Sequence, residues 1–250
     1  MIKAGIDIGA RNIKVVISRD RNILAKNIIA AGLDLKNSLE EVFDKTLKGA
    51  GIAKDDVEKI VATGVAADLV SFATDKISIV SAISRAGIFL FPNGRTIVDV
   101  GAEEVRVAKC DERGNITDFV LNDKCAAGAG LFLEAIGRAL EIKVEEMGQI
   151  SLKAQGTVPI NTQCVIFAES EVVSLIHRKI PKEDIARSVY DSMTNRVYPM
   201  MVKLGIKEDV VLVGGVANDI GFIESLKRKL GMKLSIPKEP EFAGAIGASL

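Results

Sequence analysis

An internal repeat restricts this chain more than any other feature. Ile6-Asp7-Ile8-Gly9-Ala10 returns as Val98-Asp99-Val100-Gly101-Ala102, at an offset of 92 residues. At the same offset Ile13-Lys14-Val15 meets Val105-Arg106-Val107, and with one extra residue Asn22-Ile23 meets Asn115-Ile116. Each copy reads as a strand, a tight glycine turn, a second strand and a polar turn. Chance similarity between two hydrophobic strands is the competing explanation. An aspartate, two small turn residues and a basic residue matching in register argue against it. The repeat predicts two related halves.

The rest of the chain alternates strands with helices. Strands are predicted over 3–9, 12–18 and 22–30, with a polar turn at 19–22. Residues 34–48 carry Leu35, Leu39, Val42, Phe43 and Leu47 at helical spacing, with Asp34 as N-cap and Gly49 and Gly51 as the stop. A strand over 58–63 and a helix over 77–90 follow, before Pro92-Asn93-Gly94 breaks the chain. That break divides an N-terminal lobe, 1–92, from a C-terminal lobe, 93–250. Beyond the second copy the chain becomes helical over 125–140, 168–179 and 183–204. A buried-type strand over 210–213 ends in Gly214-Gly215 and leads to a helix over 218–230. A small-residue helix over 244–250 is expected to pack back on the first lobe. The class is α/β with two lobes.

Composition removes several functions. Lys+Arg and Asp+Glu are both 33, so there is no charge excess for bulk nucleic-acid or membrane-surface binding. Nine Phe, two Tyr and no Trp argue against base-stacking platforms. No apolar run approaches the ~18 residues of a membrane span. The opening MIKAGIDIG lacks a charged-then-apolar leader, and three cysteines do not suit a disulfide framework. The expectation is a cytoplasmic protein whose cysteines are packing residues, nucleophiles or metal ligands.

A strand that delivers Asp into Gly-Ala sets a carboxylate beside free backbone N–H groups, which can hold phosphate oxygens. Gly9 and Gly101 let the backbone come close. Asp7 and Asp99, facing each other across a cleft between lobes, suit a hydrated Mg²⁺ on a nucleotide's phosphates. No Walker-type motif is present, so nucleotide binding needs another architecture.

These segments resemble a known superfamily. GIDIGARNIKVVI is similar to the first phosphate loop of the acetate kinase, sugar kinase, Hsp70 and actin superfamily, IVDVGAEEVRV to its second, and VVLVGGVANDIGFIESL to its adenosine motif. The resemblance implies a two-lobed actin-like ATPase of ribonuclease H-like duplicated βββαβα units, with ATP or ADP in the interlobe cleft. It assigns Gly9, Ala10, Arg11, Asn12, Lys14, Gly101 and Ala102 to the phosphates, and Gly214, Gly215 and Val216 to adenosine. Two further segments, LNDKCAAGAGLFLEAIGRAL and NTQCVIFAESEVVSL, resemble the BadF/BadG/BcrA/BcrD-type ATPases, which include activators of 2-hydroxyacyl-CoA dehydratases and components of benzoyl-CoA reductase. In that family each protomer supplies two cysteines to one [4Fe–4S] cluster shared by a homodimer, and Cys125 and Cys164 match them. Four thiolates per cluster agree with two per chain across a two-fold axis. Gly128 and Gly130 would bring the following helix close to the nucleotide, and Glu134 matches an acidic position that contacts ribose or makes a surface ion pair. The implied function is an ATP-hydrolysing, low-potential electron donor in an anaerobic host. Ferredoxin or flavodoxin would be upstream, and an acyl-CoA dehydratase or reductase downstream.

Three positions depart from the family pattern. Glu103 stands where a Gln is common, and it either orients the attacking water or faces solvent. Arg11 replaces a small residue, and it either touches phosphate or points outward. Ala129 replaces a Thr. Cys110 matches no family position and reads as structural. A small-molecule kinase of the same fold, or an actin-like scaffold, would leave the cysteine segments without a role.

Overall fold

The structure, a computed structural model, describes residues 1–122, 129–160 and 165–250. Two five-stranded sheets carry the repeat. The first is built from β1 (Ile2–Ile8), β2 (Asn12–Arg19), β3 (Asn22–Ala30), β4 (Lys59–Gly64) and β5 (Asp75–Lys76), in the order β3-β2-β1-β4-β5. The second is built from β6 (Thr96–Val100), β7 (Val105–Cys110), β8 (Ile116–Leu121), β9 (Val210–Val213) and β10 (Leu234–Ser235), in the order β10-β9-β6-β7-β8. Read from the third strand of each half, the two orders are identical. Pairing matches too: the first three strands are antiparallel, and the fourth runs parallel to the first. Even the β-bulge recurs, at Ile17/Ser18 and at Lys109/Cys110. The one-residue slip between Asn22 and Asn115 lies in the turn: the pair Ser18–Ile23 encloses residues 19–22, and its counterpart Cys110–Ile116 encloses 111–115.

Helices cover the sheets. α1 (Leu35–Ala50) buries Leu39, Val42, Phe43 and Leu47 against the first sheet, where Ala4, Ile6, Ile8, Ile13 and Val15 face it. The Asp34 side chain accepts from the Asn37 N–H at its start, and Gly51 ends it in the left-handed region. α3 (Gly130–Leu140), α4 (Val144–Ser151), α5 (Val165–His177), α6 (Lys182–Leu204) and α7 (Ile220–Leu230) enclose the larger core, which includes Val98, Val100, Phe132, Tyr190 and Phe222. The remaining helices, α2 (Ile79–Leu90) and α8 (Ala243–Ser249), lie between the sheets. α2, from the first half, packs on β6, β7, β8 and β9; α8, from the end of the chain, packs on β1, β2 and β4. They touch where a Cβ on Gly247 would lie 1.8 Å from the Ala82 carbonyl oxygen, so small residues set this approach.

This layering orients the aspartates. Side chains alternate along a strand, so Ile6 and Ile8 face the α1 core while Asp7 faces the inner space. In β6, Val98 and Val100 face the large core and Asp99 faces inward.

Some boundaries differ from expectation. The helix predicted over 125–140 begins at Gly130, and residues 125–128 lie outside the described residues. The one predicted over 168–179 runs Val165–His177. The one predicted from 218 begins at Ile220, because a short 3-10 turn, Gly215–Asn218, precedes it and the Asp219 side chain caps it. The one predicted from 77 begins at Ile79, capped by Ser78.

Candidate active site

A cavity of about 970 Å³ opens between the two sheets. It gathers every described residue that the sequence assigns to the nucleotide. Asp7, Gly9, Ala10, Arg11, Asn12 and Lys14 come from β1, β2 and their turn; Asp99, Gly101, Ala102 and Glu103 come from β6 and its turn. Gly130 and Glu134 come from α3, and Gly214, Gly215 and Val216 follow β9. Gly128, Cys125 and Cys164 lie outside the described residues.

The repeat carries its own counter-ions. Asp7 is 6% exposed and pairs with Lys14 across the β1–β2 ladder, Nζ to Oδ2, at 3.2 Å. Asp99 is 5% exposed and pairs with Arg106 across β6–β7, Nη1 to Oδ2, at 2.7 Å. Arg106 also reaches Glu104 at 2.6 Å. Burial pushes the Asp7 carboxyl above its ordinary value, and Lys14 opposes this. Burial works against the Arg106 charge, but Asp99 and Glu104 outweigh it and hold the guanidinium above its usual value. Each aspartate therefore keeps a fixed cation, and a buried carboxylate needs one.

A second pair of glycines, outside the repeated strand–turn–strand, closes each half. Gly64 ends β4 at φ +95°, and a Cβ there would lie 2.6 Å from Asp7 Oδ1. Gly214 follows β9 at φ +90°, and a Cβ there would lie 2.4 Å from Asp99 Oδ1. The parallel neighbour strand thus presses glycine backbone against each aspartate, in a conformation that costs other residues of order 1–3 kcal/mol. Gly215, by contrast, has open space around it, which suits a ligand lying along its backbone.

α3 docks directly on the second loop. The Gly130 N–H donates to the Gly101 carbonyl oxygen and the Leu131 N–H to that of Ala102, both at 2.9 Å. Glu103 is exposed and lines the cavity, with Glu104 beside it engaged by Arg106. Arg11 meets Glu134 across the cavity, Nε to Oε1, at 3.4 Å. So the two residues that the sequence left open answer each other.

The sequence pattern of one family matches residues 4–250. The chain belongs to the BadF/BadG/BcrA/BcrD ATPase family. Among related structures is the activator of the 2-hydroxyisocaproyl-CoA dehydratase from Clostridium difficile with bound ADPNP. It is 35% identical with a TM-score of 0.93, over 100% of this chain and 93% of that one. The Acidaminococcus fermentans (R)-2-hydroxyglutaryl-CoA dehydratase component A is 33% identical with a TM-score of 0.95, over 100% and 96%. A component of the benzoyl-CoA reductase of Thauera aromatica is 31% identical over 261 residues, covering 100% of this chain and 92% of its own. As a member of this ATPase family the protein has the actin-like fold expected from its two phosphate loops.

Sequence reasoning missed part of the cavity wall. α4 contributes Val144, Glu145, Gly148 and Gln149, and Asp219 and Ile220 stand nearby. Asp219 accepts from the Tyr190 hydroxyl at 2.7 Å and from the Gly221 N–H at 2.8 Å. The Asn-Asp-Ile-Gly run after the double glycine was the available signal. Cys110 is buried at the end of β7, and burial pushes its thiol up to about 11; it is an inert packing residue. Among the described residues no helix is long and apolar enough to cross a membrane.

Proposed function

We propose that this protein is an ATP-hydrolysing iron–sulfur electron donor. It works as a homodimer holding one [4Fe–4S] cluster on Cys125 and Cys164 of each copy, and it serves an acyl-CoA dehydratase or a related reductase. The observation that carries this is the docking of α3. That helix begins five residues after Cys125 and hangs from the second phosphate loop by two hydrogen bonds. Any shift of Gly101-Ala102 during ATP turnover reaches the Cys125 segment through them.

The described residues nearest both cysteines in the sequence are in keeping with the cluster. Cys164 immediately precedes α5, whose first turn exposes Ile166 and Phe167, each 69% accessible. Phe119 and Leu121, shortly before Cys125, are also exposed. Large apolar side chains beside each cysteine fit burial against a second copy. When bound, the cluster supplies one-electron transfer at low potential. Mg²⁺ fits the cleft as well: Asp7 and Asp99 offer carboxylate oxygens, and the buried Thr63 hydroxyl, Asp7's neighbour in register, has no hydrogen-bond partner among the described residues. Asp7 and Asp99 would hold the metal that neutralises the phosphates, Lys14 and Arg106 keep the two carboxylates in place, and Glu103 would orient the attacking water. The lobes 1–92 and 93–250 close on ATP and relax after hydrolysis. The relatives' roles as activators of dehydratases, and as a reductase component, support the choice of partner. Ferredoxin or flavodoxin supplies the electron in a cytoplasmic, anaerobic setting.

The test is iron and acid-labile sulfide on protein purified without oxygen, beside a Cys125→Ala, Cys164→Ala variant. About two irons per chain, absent from the variant, are expected. No iron after strict anaerobiosis and reconstitution overturns the reading and leaves a kinase or a scaffold.

A further inference from the structure

Arg11 and Glu134 come from opposite sides of the cavity. Arg11 sits on the β1–β2 turn, at the first phosphate loop; Glu134 sits on α3, above the second. Their side chains are 61% and 27% exposed, so the contact lies at the solvent edge. It is a 3.4 Å approach through a single guanidinium nitrogen, and exposed pairs of this kind contribute little. The phosphates of a nucleotide offer the same guanidinium denser charge and a bidentate geometry. The other two cations of the phosphate loops are more firmly engaged. Lys14 is held by Asp7, and Arg106 by Asp99 and Glu104. Arg11 is therefore the phosphate-loop cation most easily drawn to a new partner.

We infer that Arg11 changes partner with the state of the cleft. It holds Glu134 while the cleft is empty and turns to the phosphates when ATP enters. This rests on the ATP-binding half of the proposed function and not on the iron. Releasing Glu134 removes this contact between α3 and the first phosphate loop as the nucleotide arrives. The arrangement has an unusual consequence: the two partners oppose each other in nucleotide affinity. Glu134 competes with ATP for Arg11, so removing its charge strengthens binding. Removing Arg11 weakens it.

The experiment is an equilibrium titration of the full-length protein with Mg–ATP, comparing the natural sequence, Arg11→Ala, Glu134→Gln and the double variant. Glu134→Gln is expected to tighten ATP about two- to fivefold. Arg11→Ala is expected to weaken it about tenfold. The double variant should match Arg11→Ala, since Glu134 acts only through Arg11. The gain from Glu134→Gln should fade at about 0.5 M salt, where exposed charges are screened. Weaker ATP binding by Glu134→Gln would mean that this carboxylate touches the nucleotide itself, and it overturns the switch. Unchanged or tighter binding by Arg11→Ala overturns it as well, as does a double variant that binds more tightly than Arg11→Ala. Failure of the natural protein to bind ATP would remove the nucleotide reading and the switch together, whereas an iron-free protein that binds ATP leaves the switch standing.

Discussion

Asp99 depends on one neighbour. Its carboxylate is buried, and the Arg106 guanidinium that neutralises it is shared with Glu104. Removing one partner of a buried pair strands the other charge, which costs about 3–5 kcal/mol. Arg106→Met should therefore lower the unfolding free energy by roughly that amount, measured by urea denaturation at neutral pH. A loss below about 0.5 kcal/mol would mean that water already reaches Asp99. This pairing was partly legible in the sequence. Lys14 and Arg106 occupy the same place in the two copies, and the antiparallel register sets each opposite its aspartate. Gly64 and Gly214 were not legible as a pair. They lie 150 residues apart, on strands whose flanking sequences differ, and only parallel pairing to β1 and β6 brings each against a carboxylate.

At the scale of elements, α7 shows how one side chain sets a helix start. Periodicity alone places the start near 218, but Asp219 accepts from the Gly221 and Phe222 N–H groups, so the first turn begins after it. The same carboxylate accepts from the Tyr190 hydroxyl of α6, tying two helices at the cavity wall. Burial raises the Asp219 carboxyl above its ordinary value, while these hydrogen bonds oppose the shift. The folded state then binds its proton more readily than the unfolded state. Stability from this group is full below the unfolded pKa and declines as pH rises through the folded one. Tyr190→Phe removes a bond to a charged acceptor, which is worth about 1.5–3 kcal/mol. The variant should lose most at the high-pH end, where the carboxylate is ionised, and less as acid protonates Asp219. Thermal melts of both proteins between pH 4 and pH 8 check this; a difference that does not vary with pH would contradict it. The α4 helix went unread because its eight residues bury only Met147, Gly148 and Ser151, too few to mark a period.

For the whole molecule, the central layer matters most. α2 and α8 leave the halves that precede them in the chain and pack between the sheets, so each sheet is finished by a helix from elsewhere in the sequence. The cavity then has a sheet on each side and a shared layer of α2 and α8 beneath. The proposed dimer belongs to this scale too. Ile166 and Phe167 are exposed and do not line the cavity. Ile166→Asp with Phe167→Asp should give a 26.7 kDa monomer by light scattering, with ATP binding retained and iron lost. A variant that stays dimeric and keeps its iron would place the interface elsewhere.

The order of residues was enough to reveal a duplicated strand–turn–strand, two aspartates, a basic residue repeated after each and the glycine loops. These signals are local, and the repeat places each at a known position on a strand, so periodicity alone aims the aspartates to one face. What required the folded chain was everything that depends on contacts between distant segments. The exchange of α2 and α8, the glycines pressed against each carboxylate, the Tyr190–Asp219 tie and the meeting of Arg11 with Glu134 leave no pattern in their own neighbourhoods. Each arises because sheet pairing and helix packing set a distance between residues that the chain itself keeps far apart.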